Sequence, residues 1–159
     1  MTGDMREFID QFRNFKQKQI TVYRCIDGEY NPTYDKIQFF AVNKDYPPAF
    51  GKDCYEFKLD LANAIVMDLK NWNNIYTEKT GRKGNIYNRV QGLFTIGSMA
   101  IESKYRDELK LFKKELGVNL TNEFIRTFEN ADAIYGEDAG YPDQYVYAVK
   151  NPHIIEGPL

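Results

Sequence analysis

Hydrophobic residues recur with two different periods along this chain, and each period predicts a different kind of element. A helical stripe at the start of the chain predicts an N-terminal helix over Met5, Phe8, Ile9, Phe12 and Phe15. Runs rich in β-branched and aromatic residues predict strands over 20–26, 37–42, 54–60, 131–135 and 144–149. Segment 43–51, which Pro47 and Pro48 interrupt, is predicted to be a short irregular or helical link.

Helical periodicity dominates the middle of the chain. It predicts helices over 68–76 and 86–117, with Gly117 as the residue that ends the second of them. Thr121 is predicted to cap a further short helix, and 136–142 to form a turn-rich loop. The apolar segment 61–67 is ambiguous between helix and strand. The order of helix, strands, helices and strands predicts an α+β domain rather than a parallel βαβ series.

The composition predicts one domain over residues 1–159. With 43% hydrophobic and 28% charged positions, a chain of 159 residues has enough apolar surface for a sizeable core. The formal charge of −2, from 21 basic and 23 acidic residues, gives no general electrostatic case for a nucleic-acid coat or a membrane-surface protein. No stretch resembles a membrane-spanning helix or a signal peptide. We therefore expect a cytoplasmic location and no membrane partner.

Cysteine and histidine are too scarce to predict a metal site or a disulfide framework. Cys25 and Cys54 lack CxxC spacing, so we expect two reduced thiols in the core. His153 is the single histidine, which excludes HExxH zinc sites and other centres that need two imidazoles. It lies in a proline-flanked tail with no GxSxG before it, which disfavours a Ser-His-Asp triad. The sequence therefore predicts no metal.

Two charged features of the sequence need an explanation. Arg24 lies inside an otherwise apolar strand, where a guanidinium needs an anionic or carbonyl partner. That partner is either a carboxylate of the protein or the phosphate of a ligand, which arginine holds bidentately. An acidic loop with Glu137, Asp138 and Asp143 comes just before the last long strand. This loop is either an ordinary solvated turn or a site, because binding and catalytic groups concentrate on loops set on a rigid sheet.

Several short motifs, taken in order, resemble the ADP-ribosyltransferase family over residues 20–155. In the front half these are Val-Tyr-Arg at 22–24, Phe-Phe-Ala-Val-Asn at 39–43 and Ala-Phe-Gly at 49–51. In the back half they are Ala-Asp-Ala-Ile at 131–134 and the strand from Asp143 that runs into Asn151-Pro152. The resemblance implies an ADP-ribosyltransferase-like split β-sandwich, with a helical N-terminus and a helical insert, that holds NAD in a cleft.

The resemblance also implies which residues bind NAD. Arg24, which follows Tyr23, matches the arginine that holds the phosphates of the dinucleotide. Phe40 and Phe50 match aromatic residues that pack against the nicotinamide end. Ala41 stands where the family usually has a serine. A hydrogen bond that orients the site in the family is therefore missing from this chain.

The catalytic position departs from the family pattern as well. The family has a glutamate at the start of the last strand, which binds the ribose 2′-hydroxyl and aligns the acceptor; this chain has Gln144 there. An amide can hold a hydroxyl but cannot act as a base. Small phage-encoded anti-CRISPR ADP-ribosyltransferases resemble this case, with an aspartate in a Glu-Asp stretch a few residues before the last strand. The resemblance therefore implies Asp138 as the catalytic acid, with Glu137 and Asp143 as the next candidates.

These features favour one function and leave two others open. The first is an NAD-dependent mono-ADP-ribosyltransferase, of a phage or toxin type, that modifies an intracellular protein or nucleic acid of the host or of its defence system. The helical region 68–130, with Arg82 and Lys83, is then the place for target recognition, unless its basic residues form an ordinary solvated face. Ala41 and Gln144 support an alternative, an inactive fold that binds a protein or a nucleotide. The third hypothesis is a nucleic-acid-binding module that stacks bases on sheet tyrosines, against which the net charge weighs.

Overall fold

A computed structural model gives the fold and describes residues 19–30, 37–94, 98–138, 141 and 143–159, leaving aside the side chains of 98–104. The predicted N-terminal helix lies outside the described residues. All five predicted strands are confirmed, with ends that differ by at most two residues. The ambiguous segment 61–67 contributes a further strand, and another strand forms near the C-terminus. The strands are β1 Gln19–Ile26, β2 Gln38–Ala41, β3 Asp53–Asp60, β4 Val66–Asp68, β5 Ala133–Glu137, β6 Tyr145–Val149 and β7 Ile155–Glu156.

The seven strands form one open, mixed sheet in the order β4-β5-β6-β2-β1-β3-β7. The β4–β5 pair is parallel and the other neighbouring pairs are antiparallel. Parallel neighbours cannot be joined by a tight hairpin. The helices between β4 and β5 serve as the crossover connection, which agrees with the predicted α+β class.

The junction between β1 and β2 is the seam of this sheet. Among the described residues, Tyr23 and Ala41 are the single partner pair across it. On one side of the seam, β1 pairs with β3 at eight positions. On the other side, β2 pairs with β6 at four positions. Two well-connected halves of the sheet therefore meet along a short line of pairing.

The helical character predicted for the middle of the chain is confirmed, but its bounds differ. The stretch 86–117 holds two helices rather than one, and the helix predicted over 68–76 continues to Thr80. The carboxylate of Asp68 caps this first helix, since Oδ1 accepts hydrogen bonds from the backbone N–H groups of Lys70 at 3.0 Å and Asn71 at 3.2 Å. The helix ends at Gly81, whose φ of 71° lies in the left-handed region that glycine tolerates. The helices in the described part of the chain are α1 Leu69–Thr80, α2 Ile86–Phe94, α3 Ser98–Leu116 and α4 Val118–Asn130.

The helix boundary at Gly117 is predicted correctly, but the cap that follows it is not. Gly117 follows α3 with a φ of 88°, and its N–H donates to the carbonyl of Lys113 at 3.0 Å. Thr121 is not a cap, because α4 already begins at Val118. The Thr121 hydroxyl instead donates to the carbonyl of Gly117 at 2.7 Å, one turn back along the chain.

The predicted loop 136–142 is wrong at its beginning. Gly136 and Glu137 belong to β5, where they pair with β6. Glycine is depleted in strands, so its presence signals a loop in the sequence. The loop begins at Asp138, which therefore lies directly at the end of a strand.

Both faces of the sheet are covered by apolar side chains. Because successive residues of a strand point to opposite faces, Val146 and Ala148 of β6 belong to one core and Tyr147 and Val149 to the other. The first core contains the helices and their aromatic residues. The second core lies on the opposite face, around Phe57 of β3. The larger buried aromatic residues on the helical side are Trp72, Tyr87, Phe94, Tyr105, Phe112, Phe124 and Phe128.

The prediction of two reduced thiols is wrong, because Cys25 and Cys54 form a disulfide bond. The two residues are direct partners in the antiparallel pairing of β1 and β3. Directly opposed residues have closely spaced Cβ atoms, which is why a disulfide can form there. Cys25 is 5% exposed. The sequence could not show this pairing, since 28 residues separate the two cysteines and only the register of the strands brings them together.

Candidate functional site

A cavity of about 370 Å³ opens at the seam, between β1, β2, the link 43–51 and α2. Its volume lies within the roughly 300–1,000 Å³ typical of sites for small molecules. The wall combines apolar and aromatic residues with a few polar side chains. The lining residues are Tyr23, Arg24, Cys25, Ile26, Phe39, Phe40, Ala41, Tyr46, Pro47, Phe50, Tyr87, Gln91, Asp138 and Val146.

The cavity brings together most of the residues predicted from the sequence. The five candidate NAD-binding residues all line it, and so does the first catalytic candidate, Asp138. They come from four separate stretches of the chain, so the fold and not the sequence makes them neighbours. The six residues are Tyr23, Arg24, Phe40, Ala41, Phe50 and Asp138.

Arg24 lies half-buried in the wall of the cavity. Its Nη1 donates to the carbonyl of Phe39 at 3.5 Å. Phe39 belongs to β2 and Arg24 to β1. The guanidinium of Arg24 therefore bridges the seam between the two strands. A guanidinium has five N–H donors and retains its charge. Arg24 therefore brings a permanent positive charge to the cavity.

Asp138 is held at the end of β5 by its own main chain. Its N–H donates to the carbonyl of Gln144 at 2.8 Å, and its carbonyl accepts from the N–H of Tyr141 at 3.2 Å. The side chain is held as well, because the hydroxyl of Tyr46 donates to Oδ2 of Asp138. The carboxylate thus has a fixed position in the cavity wall.

Tyr46, Phe50 and Tyr141 form an aromatic cluster around this contact. The ring of Tyr46 meets those of Phe50 and Tyr141 edge to face, each with centroids 5.2 Å apart. Phe50 is 54% exposed and Tyr141 is 46% exposed, so the cluster faces solvent. Burial, together with the hydrogen bond and the charge of Asp138, raises the pKa of Tyr46 above its usual value. The Tyr46 hydroxyl therefore remains protonated and able to donate.

Tyr87 of α2 forms another part of the wall, and it depends on a glycine. A Cβ on Gly136 would lie 2.6 Å from Cβ of Tyr87 and 2.8 Å from its Cδ2, so only glycine permits this approach. Tyr87 is 1% exposed. Burial, and then the negative charge of Asp138, raises the pKa of Tyr87. The close approach of α2 to β5 thus brings a neutral phenol to the same cavity.

The remaining catalytic candidates lie outside this cavity. Glu137 lines a separate polar groove of about 800 Å³ with residues of α1 and of the turn that follows it. Asp143 is exposed, in a turn with a φ of 65°. Gln144 does not line the cavity, and its Oε1 is buried with no hydrogen-bond partner among the described residues. Of the four predicted acidic or amide candidates, Asp138 alone is brought to the cavity.

The two basic residues suggested for target recognition differ in their surroundings. Arg82 donates to Glu115 of α3 at 3.2 Å, so part of its charge is paired within the protein. Lys83 is exposed and lines the polar groove beside Glu137. The region that these residues occupy therefore adjoins β5, the strand that comes directly before Asp138.

Tyr46, Tyr87 and Gln91 are cavity residues that sequence reasoning missed. Tyr46 lies four residues before Phe50 in a link with two prolines. Its position beside a predicted NAD-binding residue is a sequence signal that could have marked it as a candidate. Tyr87 has the spacing of an ordinary core residue on a helix. No sequence pattern separates a core tyrosine from one at the edge of a cavity.

Two kinds of feature are absent from the described residues. Nowhere in 19–30, 37–94, 98–138, 141 and 143–159 do three His, Cys, Asp or Glu side chains gather as a metal centre would need. None of the helices in those ranges has both the length and the apolar character needed to cross a bilayer.

No protein-family model, curated protein or solved structure matches this chain.

Proposed function

We propose that this chain is an NAD-dependent mono-ADP-ribosyltransferase, with Asp138 as its catalytic carboxylate and the cavity at the seam as its NAD site. One observation carries the proposal. The carboxylate of Asp138 and the guanidinium of Arg24 line the same cavity, although 113 residues separate them in the chain. The motifs of the family resemblance predict this combination without any knowledge of the fold.

The seam also supports the finer fold assignment, an ADP-ribosyltransferase-like split β-sandwich. Such a fold has two groups of strands that diverge around a cleft. Here the halves β4-β5-β6-β2 and β1-β3-β7 meet through Tyr23 and Ala41, the one pair across the seam in the described part of the chain. The cavity lies where they meet.

The residues around the cavity divide into groups suited to different parts of NAD. Arg24 has the fork of donors that suits the diphosphate, and it keeps its charge. Phe50, which is 54% exposed, offers apolar surface for the nicotinamide ring. The side chain of Phe40 is fully buried against Phe57 in the second core, so it offers no surface to that ring. Ala41 leaves room in the wall of the cavity but offers no hydrogen bond. NAD is thus held mainly by one charge and by apolar packing.

The reaction begins with the bond between C1′ of the ribose and N1 of nicotinamide. As this bond breaks, its electron pair leaves with nicotinamide, which becomes neutral, and the ribose gains oxocarbenium character. The negative charge of Asp138 stabilises that developing positive charge. An oxygen or nitrogen lone pair of the acceptor then bonds to C1′, and the acceptor gives up a proton to Asp138, which passes it to water.

The test is release of nicotinamide from labelled NAD, with a bacterial lysate as the source of acceptor. Wild-type protein is expected to release nicotinamide and to transfer the labelled ADP-ribose to protein or nucleic acid. Asp138→Asn should lower the rate by about 100-fold or more, since it removes the charge and the base. Asp143→Asn is the matched control, because it makes the same chemical change at an exposed position outside the cavity. Equal rates for wild type and Asp138→Asn contradict the proposal.

A second candidate, an inactive fold that binds a nucleotide or a protein, is favoured by one observation. Ala41 lines the cavity where the family has a serine, so the site lacks one polar contact to the substrate. This candidate predicts NAD binding by calorimetry without release of nicotinamide. It also predicts that Arg24→Ala abolishes binding and that Asp138→Asn leaves binding unchanged.

A further inference from the structure

We propose that Tyr46 is a positioning residue for this reaction: its hydroxyl, by donating to Oδ2 of Asp138, keeps the carboxylate aimed into the cavity at the reacting C1′. The inference rests on the proposed function, because it assigns a role relative to the catalytic carboxylate. The sequence gives Tyr46 no role, and the family motifs quoted above do not include it.

The contact joins two segments that are distant in the chain. Tyr46 belongs to the link 43–51, and Asp138 is the first residue after β5. The hydrogen bond is reinforced by the ring contact between Tyr46 and Tyr141. Movement of either segment therefore moves the carboxylate relative to the rest of the wall.

Tyr46 is itself held, so it can act as a fixed donor. Its N–H donates to the carbonyl of Asn43 at 3.2 Å, and its carbonyl accepts from the N–H of Ala49 at 3.3 Å. The side-chain oxygen of Asn43 accepts from the N–H of Asp45 at 3.0 Å, which closes a local turn. At the start of this link, the N–H of Val42 donates to the carbonyl of Tyr145 at 3.1 Å, which ties it to the strand after the Asp138 loop.

The protonation of Tyr46 suits this role. Its pKa is raised by burial and by the neighbouring Asp138, so the hydroxyl stays neutral over the range in which enzymes work. A neutral phenol offers one proton and does not repel the carboxylate. Because misplacement of a reacting group by about 1 Å can lower a rate about 100-fold, loss of this single contact should affect turnover.

Tyr46→Phe isolates the contact, since it retains the ring in the aromatic cluster and removes only the hydroxyl. We expect kcat for nicotinamide release to fall about 10- to 100-fold, while KM for NAD and the melting temperature stay close to those of wild type. Tyr145→Phe is the matched control, because it removes a hydroxyl from a half-buried tyrosine that does not line the cavity. Tyr46→Phe in the Asp138→Asn background should cause no further loss, since the donor then has no carboxylate to orient.

The other outcomes separate this inference from the proposed function. Wild-type kcat in Tyr46→Phe, with Asp138→Asn inactive, overturns the positioning role and leaves the function standing. A lower KM with unchanged kcat also overturns it, because the contact then closes the site rather than orienting a group. If Asp138→Asn is as active as wild type, or if wild type releases nothing, the proposed function falls and the positioning role falls with it.

Discussion

The N–H of Asp138 donates to the carbonyl of Gln144 at 2.8 Å, which joins the two candidates for the proposed catalytic role. Their main chains are neighbours, yet their side chains have different surroundings. The carboxylate of Asp138 lines the cavity and accepts from Tyr46. The amide oxygen of Gln144 is buried without a partner among the described residues. The pattern of the family marks position 144, whereas the geometry of this chain favours position 138.

A carboxylate introduced at position 144 should not replace the one at position 138. In the Asp138→Asn background, Gln144→Glu is expected to restore no nicotinamide release. It should also lower the free energy of unfolding by about 1–3 kcal/mol at neutral pH, because it places a charge where a buried oxygen already lacks a donor. Urea denaturation measures this loss. The loss should shrink at about pH 4, where the new carboxyl becomes protonated, and recovery of activity in the double variant would contradict the assignment of Asp138.

Gly136 should be far less tolerant of a methyl group than another glycine nearby. Gly136→Ala is expected to lower the free energy of unfolding by about 1–3 kcal/mol, because the new Cβ would lie 2.6 Å from Cβ of Tyr87. Gly92→Ala in α2 is the control. A Cβ there meets nothing within 4 Å, and alanine favours a helix over glycine by roughly 1 kcal/mol. Denaturant titration of both variants measures the change in the free energy of unfolding. An unchanged value for Gly136→Ala would show that α2 can move away from β5.

The buried tyrosines predict a loss of stability in alkaline solution. Burial, with the charge of Asp68 and Tyr145, raises the pKa of Tyr135 to about 12. In the unfolded chain a tyrosine titrates near pH 10, so between about pH 10 and 12 the unfolded state loses protons that the folded state keeps. Stability from this group is complete below pH 10 and falls as the pH rises towards 12. Tyr46, Tyr87, Tyr105 and Tyr147 are shifted in the same direction.

Urea midpoints measured between about pH 8 and pH 12 test this sign. The midpoint of wild type should decline above about pH 10. Tyr135→Phe should decline less steeply, since one of the shifted groups is gone, while its midpoint at about pH 8 serves as the internal reference. A midpoint that stays level up to about pH 12 would contradict the prediction.

Periodicity predicted most of the fold because local patterns determine strands and helices. The run 20–26 and the alternation over 54–60 reappear as β1 and β3, and the polar break after Thr80 ends α1. Gly136 predicts a loop, because glycine usually marks one. It lies in a strand that pairs with β6, and a glycine is needed there because Tyr87 of α2, about fifty residues earlier in the chain, leaves no room for a Cβ.

The candidate site was predictable only in part, for a related reason. Arg24 stood out as a charge within an apolar strand, and Asp138 as one acid among several in a loop. Asp138 lines the cavity, whereas Glu137, one residue away, lines a different groove. This difference depends on where β5 ends. The Tyr46 contact and the Cys25–Cys54 disulfide both join residues that become neighbours only through pairing of distant strands and loops. Such contacts have no periodic signal in a single sequence.

The seam gives the cavity an uneven stiffness. Its two walls belong to halves of the sheet that are each held by several backbone pairs, while one pair among the described residues joins the halves. Separation of the two halves would therefore break little main-chain pairing in the described part of the chain. Resistance to widening comes instead from side chains that cross the seam, such as Arg24 on the carbonyl of Phe39 and Phe40 against Phe57 in the second core. The breadth of molecule that the cavity admits thus depends more on side-chain packing across the seam than on the pairing of β1 with β2.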